Sequence, residues 1–341
     1  MNKVAIVILN WNGKAMLERF LPSVCRFSQL ENVVVVVADN GSTDDSVAFV
    51  QENYPSVQIV LLDKNYGFAE GYNRSLAQLD AEYFLLLNSD VEVTENWLSP
   101  MIAYMDEHPD VAACQPKIRS FVAKEKFEHA GACGGFLDKY AFPFCRGRLF
   151  GEVERDLGQY DSVMDIFWAT GAALMIRSDD YSSVGGLDGS FFAHMEEIDL
   201  CWRLRSRGRR IVCVPESVVY HLGGGTLNVE NPRKTFLNFR NNLLMIYKNV
   251  PNGYLSRVLT ARFFFDHLAA LQYLAKGDWG NAKAIFRARR EFRKIRDEYT
   301  EKRESNMAAQ SVKDIPEVLD RSLVFSFYLL GKKKFSDLRF K

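Results

Sequence analysis

No stretch of this 341-residue chain reaches the roughly 18 uninterrupted apolar residues that a membrane-crossing helix needs. The apolar run Val4–Leu9 is too short for the core of a secretory signal, and Asn10-Trp11-Asn12-Gly13 follows it in place of a small-residue cleavage site. Neither a spanning helix nor a cleaved leader is therefore expected. Net charge is also lacking: Lys+Arg and Asp+Glu stand at 43 each. That balance argues against a general nucleic-acid binder. The six cysteines (Cys25, Cys114, Cys133, Cys145, Cys201 and Cys213) are scattered and contain no C-x-x-C pair. Structural zinc and a disulfide framework are not expected, and buried reduced thiols in a reducing compartment are. Internal repeats and low-complexity linkers are missing as well.

What is present is a globular composition, 48% hydrophobic with 13% aromatic and 25% charged residues. Apolar runs alternate with helical spacing. Val4–Leu9, Val33–Ala38, Val57–Leu62 and Tyr83–Leu87 read as strands, with helices over 14–28, from Ser42 and over 68–79. Strands apolar on both faces are covered by helices, which predicts an α/β, doubly wound, mainly parallel sheet. Ligands on such sheets sit outside the carboxyl ends of the strands. Residues 112–165 read as strands and loops able to shape a second binding site, and the chain turns helical from about 235.

Four polar clusters stand where a ligand would be. Asp39-Asn40-Gly41-Ser42 follows the second strand; a carboxylate there can bind a base edge or a ribose, or can simply cap a turn. Asn88-Ser89-Asp90 follows the fourth; an acid there suits a hard divalent cation, Mg²⁺ or Mn²⁺, or a polar strand-end turn. Glu196-Glu197-Ile198-Asp199 opens a helix with Trp202 and Arg203. First-turn acids complement the helix dipole, but neighbouring carboxylates also raise one another's pKa toward that of a general base. His221 closes an apolar run before Leu222-Gly223-Gly224-Gly225, as a metal ligand or as a structural histidine.

In this order, and with Asn65–Arg74, Trp168–Ala172 and Gly185–Asp188, these clusters resemble family 2 glycosyltransferases over about residues 3–250. The nearest branch is the rhamnosyltransferase-like group of bacterial surface-polysaccharide enzymes. The resemblance implies a GT-A fold and an inverting single displacement. It makes Asp39 the nucleoside-binding acid, Asp90 the last acid of the family's metal-binding D-x-D with Asn88 in its first position, and His221 a further metal or diphosphate ligand. Glu197 matches the acid that deprotonates the acceptor hydroxyl. That position is usually Asp, so Glu196 stands as a rival. Asn10, Asn40, Gly67, Asn73, Arg74 and Gly171 fall in the donor pocket, and Asp199, Trp202 and Arg203 at the helix and site rim.

The implied partners are a nucleoside-diphosphate sugar and a glycan or polyprenyl-linked glycan acceptor, with a divalent metal as cofactor. The expected division is a transferase domain over 1–250, donor half 1–110 and acceptor half 111–250, and a helical C-terminal extension over 251–341. The extension mixes aromatic and basic residues, as in Arg262–Tyr273 and Ala284–Lys294. It fits peripheral contact with the inner face of the cytoplasmic membrane, or packing on the domain or on a second copy in a homodimer. Two other classes are a sugar nucleotidyltransferase and a catalytically silent carbohydrate-binding protein. The first needs a denser glycine- and cation-bearing loop than Asn10–Lys14, and the intact acids and His221 speak against the second.

Overall fold

β1 (Asn2–Asn10) and β2 (Val33–Asn40) are written almost entirely in apolar, largely β-branched residues. Such strands are stable only when covered on both faces, and they pair in parallel near one end of a large sheet. In the computed structural model, which describes residues 1–223 and 231–340, they are joined by α1 (Lys14–Phe27). The chain continues through α2 (Ser46–Asn53), β3 (Gln58–Leu62), α3 (Gly67–Leu76), β4 (Ala81–Asn88), β5 (Val91–Val93), α4 (Ser99–Glu107) and β6 (Val111–Ser120). The helix expected to open at Ser42 begins at Ser46. Residues 42–45 form a tight loop instead, with Ser42 Oγ accepting the Asn12 N–H at 2.9 Å and Asn12 Oδ1 accepting the Thr43 N–H at 2.7 Å. The loops after β1 and β2 are thereby tied together.

After β6 the chain builds a small second sheet from β7 (Gly135–Asp138), β8 (Pro143–Cys145), β9 (Arg148–Leu149) and β10 (Glu152–Val153). It returns to the main sheet with β11 (Met164–Asp165) and β12 (Ala173–Arg177). Then come α5 (Ser178–Ser183), α6 (Glu196–Ser206) and the long β13 (Arg210–His221). The main-sheet order is β11-β13-β6-β12-β4-β1-β2-β3, with β5 on β13. The sheet is mainly parallel, as expected, with β6 and β13 running in the same direction as β4 and with β12, β11 and β5 opposed to them. β3, β2, β1 and β4 run parallel, but β12 inserts antiparallel between β4 and β6. A strand buried on both faces carries the same apolar signature in either direction, so its sense cannot be read from pattern alone.

The C-terminal part is helical, as expected: α7 (Pro232–Asn249), α8 (Asn252–Ala275), α9 (Trp279–Ile295), α10 (Thr300–Ala309) and α11 (Leu323–Tyr328). Asn231 caps α7 by accepting the Arg233 N–H, with Pro232 at the first turn, where its missing N–H costs nothing. The extension also returns a strand, β14 (Val318–Leu319), which pairs parallel with β7. Among the described residues no helix is long and apolar enough to cross a membrane.

Candidate active site

Parallel register aligns the ends of β1, β2 and β4: Asn10 faces Asp39 and Leu9 faces Asn88. Asp39 is buried and takes hydrogen bonds from Asn10 Nδ2 at 3.1 Å and from the Ser42 N–H at 2.9 Å. Asn10 Oδ1 is buried without a partner. Asn40 bridges to the start of α3, donating to Gly67 O at 3.0 Å and accepting the Tyr66 N–H at 3.0 Å. Gly67 has φ +78°, and a Cβ there would stand 2.5 Å from the Phe192 ring, so this position tolerates only glycine without displacement.

Asp90 and His221 meet at the neighbouring strand ends. His221 Nε2 lies 3.1 Å from Asp90 Oδ1 and 3.4 Å from Asn88 Nδ2. On the other side of the ring, Glu128 Oε2 is 3.5 Å from Nδ1. Burial alone would favour the neutral ring, but the two carboxylates outweigh it and push His221 up to about 10. Among the described residues no three His, Cys, Asp or Glu side chains form a ready-made cage, because Asp90 and Glu128 face opposite ring nitrogens. The converging carboxylate and imidazole nonetheless fit a Mg²⁺ or Mn²⁺ ion that completes its shell with phosphate oxygens and water. Gly224 and Gly225 lie outside the described residues.

The acids Glu196 and Glu197 open α6 after a loop with unusual backbone geometry. Phe192, His194 and Met195 have φ of 66°, 72° and 72°. Left-handed non-glycine residues cost on the order of 1 kcal/mol or more each and persist only where their surroundings fix them. Here the Phe68 N–H donates to Phe192 O at 2.7 Å. The two N–H bonds of the buried Asn241 side chain are shared among Phe191 O, Ala193 O and His194 O at 2.8–3.0 Å. The Oε2 atoms of both glutamates are inaccessible and unpartnered. Burial pushes Glu197 up to about 7, with the first backbone N–H groups of α6 offsetting part of the effect. Glu196 is raised further, by burial and then by the charge of Glu197. Glu196 is buried, whereas Glu197 keeps part of its side chain exposed. His194 is held neutral, down at about 4, by burial and by Lys234.

Gly171 joins the two clusters. A Cβ on it would sit 4.0 Å from Glu197 Cβ and 3.0 Å from Phe68 Cζ. Its neighbour Ala172 accepts the Asn88 N–H at 3.0 Å. The missing side chain therefore lets the Phe68 ring close on this stretch beside Glu197.

Five residues read as site-forming do other work. Asp199, Trp202 and Arg203, expected at the helix and site rim, are buried beneath the acids. Asp199 accepts from Arg203 Nε at 3.0 Å, Lys248 Nζ at 2.8 Å and Asn249 Nδ2 at 2.8 Å. Arg203 also donates to Val184 O and Gly186 O, and Trp202 packs edge-on against Phe167. These contacts tie α6 to the 184–186 loop and to α7. Asn73 clips the 181–188 loop through Leu187 and Tyr181. Arg74 lies on the surface, bonded to Glu70 and 4.0 Å over the Tyr66 ring. Lys248, fully buried, bridges Asp199 and Asp188, with Lys302 on the far side of Asp188. Burial opposes ionisation of Asp188, but the two lysines hold its carboxyl well below the usual range. Glu128, Asn241 and Lys248 escape a motif reading because each acts through a partner distant in sequence.

Residues 5–158 match the family described as glycosyl transferase family 2. The N-acetylglucosaminyl-diphospho-decaprenol L-rhamnosyltransferase of Mycobacterium tuberculosis is 27% identical over 230 residues, covering 63% of this chain and 75% of the relative. The rhamnosyltransferase WbbL of Escherichia coli is 26% identical over 200 residues, 56% of this chain and 73% of the relative. Among solved structures, GalNAc-T7 with UDP, GalNAc and Mn²⁺ superposes with a TM-score of 0.59 at 14% identity, over 83% of this chain and 54% of that one. A mannosyltransferase from Pyrobaculum calidifontis in complex with GDP-Man and Mn²⁺ gives 0.52 at 14% identity, over 90% and 85%. The fold is that of the GT-A glycosyltransferases, and the N-terminal part of the chain is similar to glycosyl transferase family 2.

Proposed function

We propose that the protein moves a hexosyl or deoxyhexosyl group from a nucleoside-diphosphate sugar to a hydroxyl of a lipid-linked glycan, with inversion at the anomeric carbon. The observation that carries this reading is Glu197, a carboxylate beside Gly171 with an uncommitted oxygen and a pKa near neutrality. A general base works best with its pKa near the working pH. Glu197 takes the proton of the acceptor hydroxyl as that oxygen attacks the face of the sugar opposite the diphosphate. Asp39, with Asn10 and Ser42 orienting its carboxylate, receives the nucleoside. Asp90 and His221 would hold a divalent cation, which supplies positive charge against the departing diphosphate. The lipid-linked acceptor is supported by the decaprenol-linked substrate in the name of the mycobacterial relative.

In this reading residues 1–250 are the transferase domain, with its donor half over 1–110 and its acceptor half over 111–250. The 251–341 extension buttresses the acceptor half and faces the inner surface of the cytoplasmic membrane. Residues 252–296 hold ten Lys or Arg against three Asp or Glu. Phe264, Leu268 and Leu271 line an exposed stripe on α8, and Lys283, Phe286, Arg287, Arg290 and Arg293 are exposed on α9. An apolar stripe beside cations suits an anionic bilayer. The same charge opposes a homodimer built on this face.

The deciding experiment is a thermal-shift screen of UDP-, GDP- and dTDP-sugars with Mn²⁺, followed by turnover with a polyprenyl-diphosphate-linked acceptor and NMR of the new anomeric centre. An inverted product is expected. Retention of configuration, or no nucleoside diphosphate released with any donor that stabilises the protein, would overturn the reading.

A further inference from the structure

His221 ends β13 between two acids on opposite sides of its ring. Asp90 Oδ1 stands 3.1 Å from Nε2, and Glu128 Oε2 stands 3.5 Å from Nδ1. Nδ1 is buried and has no hydrogen-bond partner among the described residues, with the Glu128 carboxylate the acid facing it. Glu128 is buried as well, in the irregular stretch after β6, and it is pinned in place. Its Oε2 takes the Ala130 N–H at 2.5 Å, and its own N–H donates to Ile118 O at 3.0 Å. Two residues past the histidine, Gly223 has φ +68°, and a Cβ there would come within 3.0 Å of Glu128 Oε1. The glycine turn thus leaves a slot that the carboxylate fills. An acid buried this completely needs a partner for its charge, and the imidazole is placed to be that partner.

We propose that Glu128 is a positioning residue for the Asp90–His221 pair: by accepting the Nδ1 proton of His221, it fixes the ring tautomer and orientation that turn Nε2, with Asp90, toward a divalent cation. This rests on the reading of Asp90 and His221 as the metal-holding pair. Glu128 is not a ligand itself, since it faces the other ring nitrogen. A carboxylate behind a ligating histidine makes the ring more basic and holds it still, and its loss typically weakens metal binding ten- to a hundredfold.

The test compares the wild-type protein with Glu128→Ala and with Glu128→Gln, which keeps the side-chain volume if the alanine variant does not fold. Mn²⁺ is titrated calorimetrically into the full chain without donor. Long-range ¹H–¹⁵N spectra report the protonation of the His221 ring in the metal-free protein. Expected are an Mn²⁺ affinity about tenfold weaker in Glu128→Gln and up to about a hundredfold weaker in Glu128→Ala. A His221 Nδ1 that is protonated in the wild type and loses that proton in the alanine variant is also expected. Affinities within twofold of the wild type in the folded variants, or an unprotonated Nδ1 in the wild type, would overturn the proposal. Should the wild type itself take up no Mn²⁺ and match Asp90→Ala and His221→Ala, the metal reading falls. The ring spectra then still decide whether Glu128 sets the His221 tautomer.

Discussion

Glu196 and Glu197 differ by one position and by about the width of a side chain, yet exchanging each for glutamine should have unequal consequences. Glu197 titrates at about 7, pushed there by burial. Glu196 is raised well above the usual carboxylate range, by burial and then by the charge of Glu197. At pH 8 Glu197 is therefore mostly a base, while burial and the charge of Glu197 favour the uncharged form of Glu196, which glutamine imitates. Loss of a general base costs about a hundredfold or more in kcat, about 2.7 kcal/mol of transition-state stabilisation. Glu197→Gln should lose at least that much with little change in the KM for donor, since only the transition state uses the proton transfer. Glu196→Gln should lose less than about tenfold. In the wild type kcat should fall about tenfold per pH unit below 7, and Glu196→Gln should keep that limb at the same pH. An unperturbed glutamate would place the limb near pH 4.3. Steady-state kinetics from pH 5 to 9 on the three proteins decide the matter. A limb near pH 4, or a hundredfold loss in Glu196→Gln with Glu197→Gln close to wild type, would refute the assignment and its electrostatic basis.

Two further outcomes follow from the same structure. Lys248→Ala leaves Asp188 and Asp199 buried with fewer partners, Lys302 for one and Arg203 with Asn249 for the other. Breaking a buried pair in this way should cost about 3 kcal/mol, seen as a lower urea midpoint at pH 7. Because Asp188 is depressed below its unfolded value, its contribution is present above about pH 4 and is lost as pH falls further, so the gap between variant and wild type should narrow in acid. On the membrane side, the full chain should co-sediment with phosphatidylglycerol vesicles and much less with phosphatidylcholine, and Phe264→Ser with Leu268→Ser should weaken that binding at least fivefold. Equal binding by the variant, or a salt-insensitive dimer formed through this face, would point to a protein partner for the helices.

The strands and their polar ends were legible because each rests on local pattern: β-branched runs give strands, and carboxylates at their ends mark the ligand edge. The Glu196–Glu197 helix and His221 at a strand terminus could be found in the same way. The sense of β12 could not, since burial on both faces erases the distinction between parallel and antiparallel. Asp199 and Arg203 were legible only in part. Their spacing from Glu197 predicts a shared helix but not that Lys248 and the Val184 and Gly186 carbonyls claim their charges from the far side. Glu128 and Asn241 carry no motif at all. Each matters through a partner about fifty or more residues away, and only tertiary structure brings such pairs together.

The network beneath the acids also sets an order of events in biosynthesis. Asp188, at the base of the strained loop, is held by Lys302, and the adjoining Ser190 Oγ by the Tyr299 hydroxyl at 2.8 Å. Asn306 grips Asn249, which in turn holds Asp199. Farther along, the Leu323 and Phe335 N–H groups close on Asp138 and Glu154, 185 and 181 residues earlier. A nascent chain that has completed β13 possesses every proposed reacting group and still lacks the struts that hold two of them in place. Competence to react should thus arrive with these C-terminal helices, after the sheet has formed.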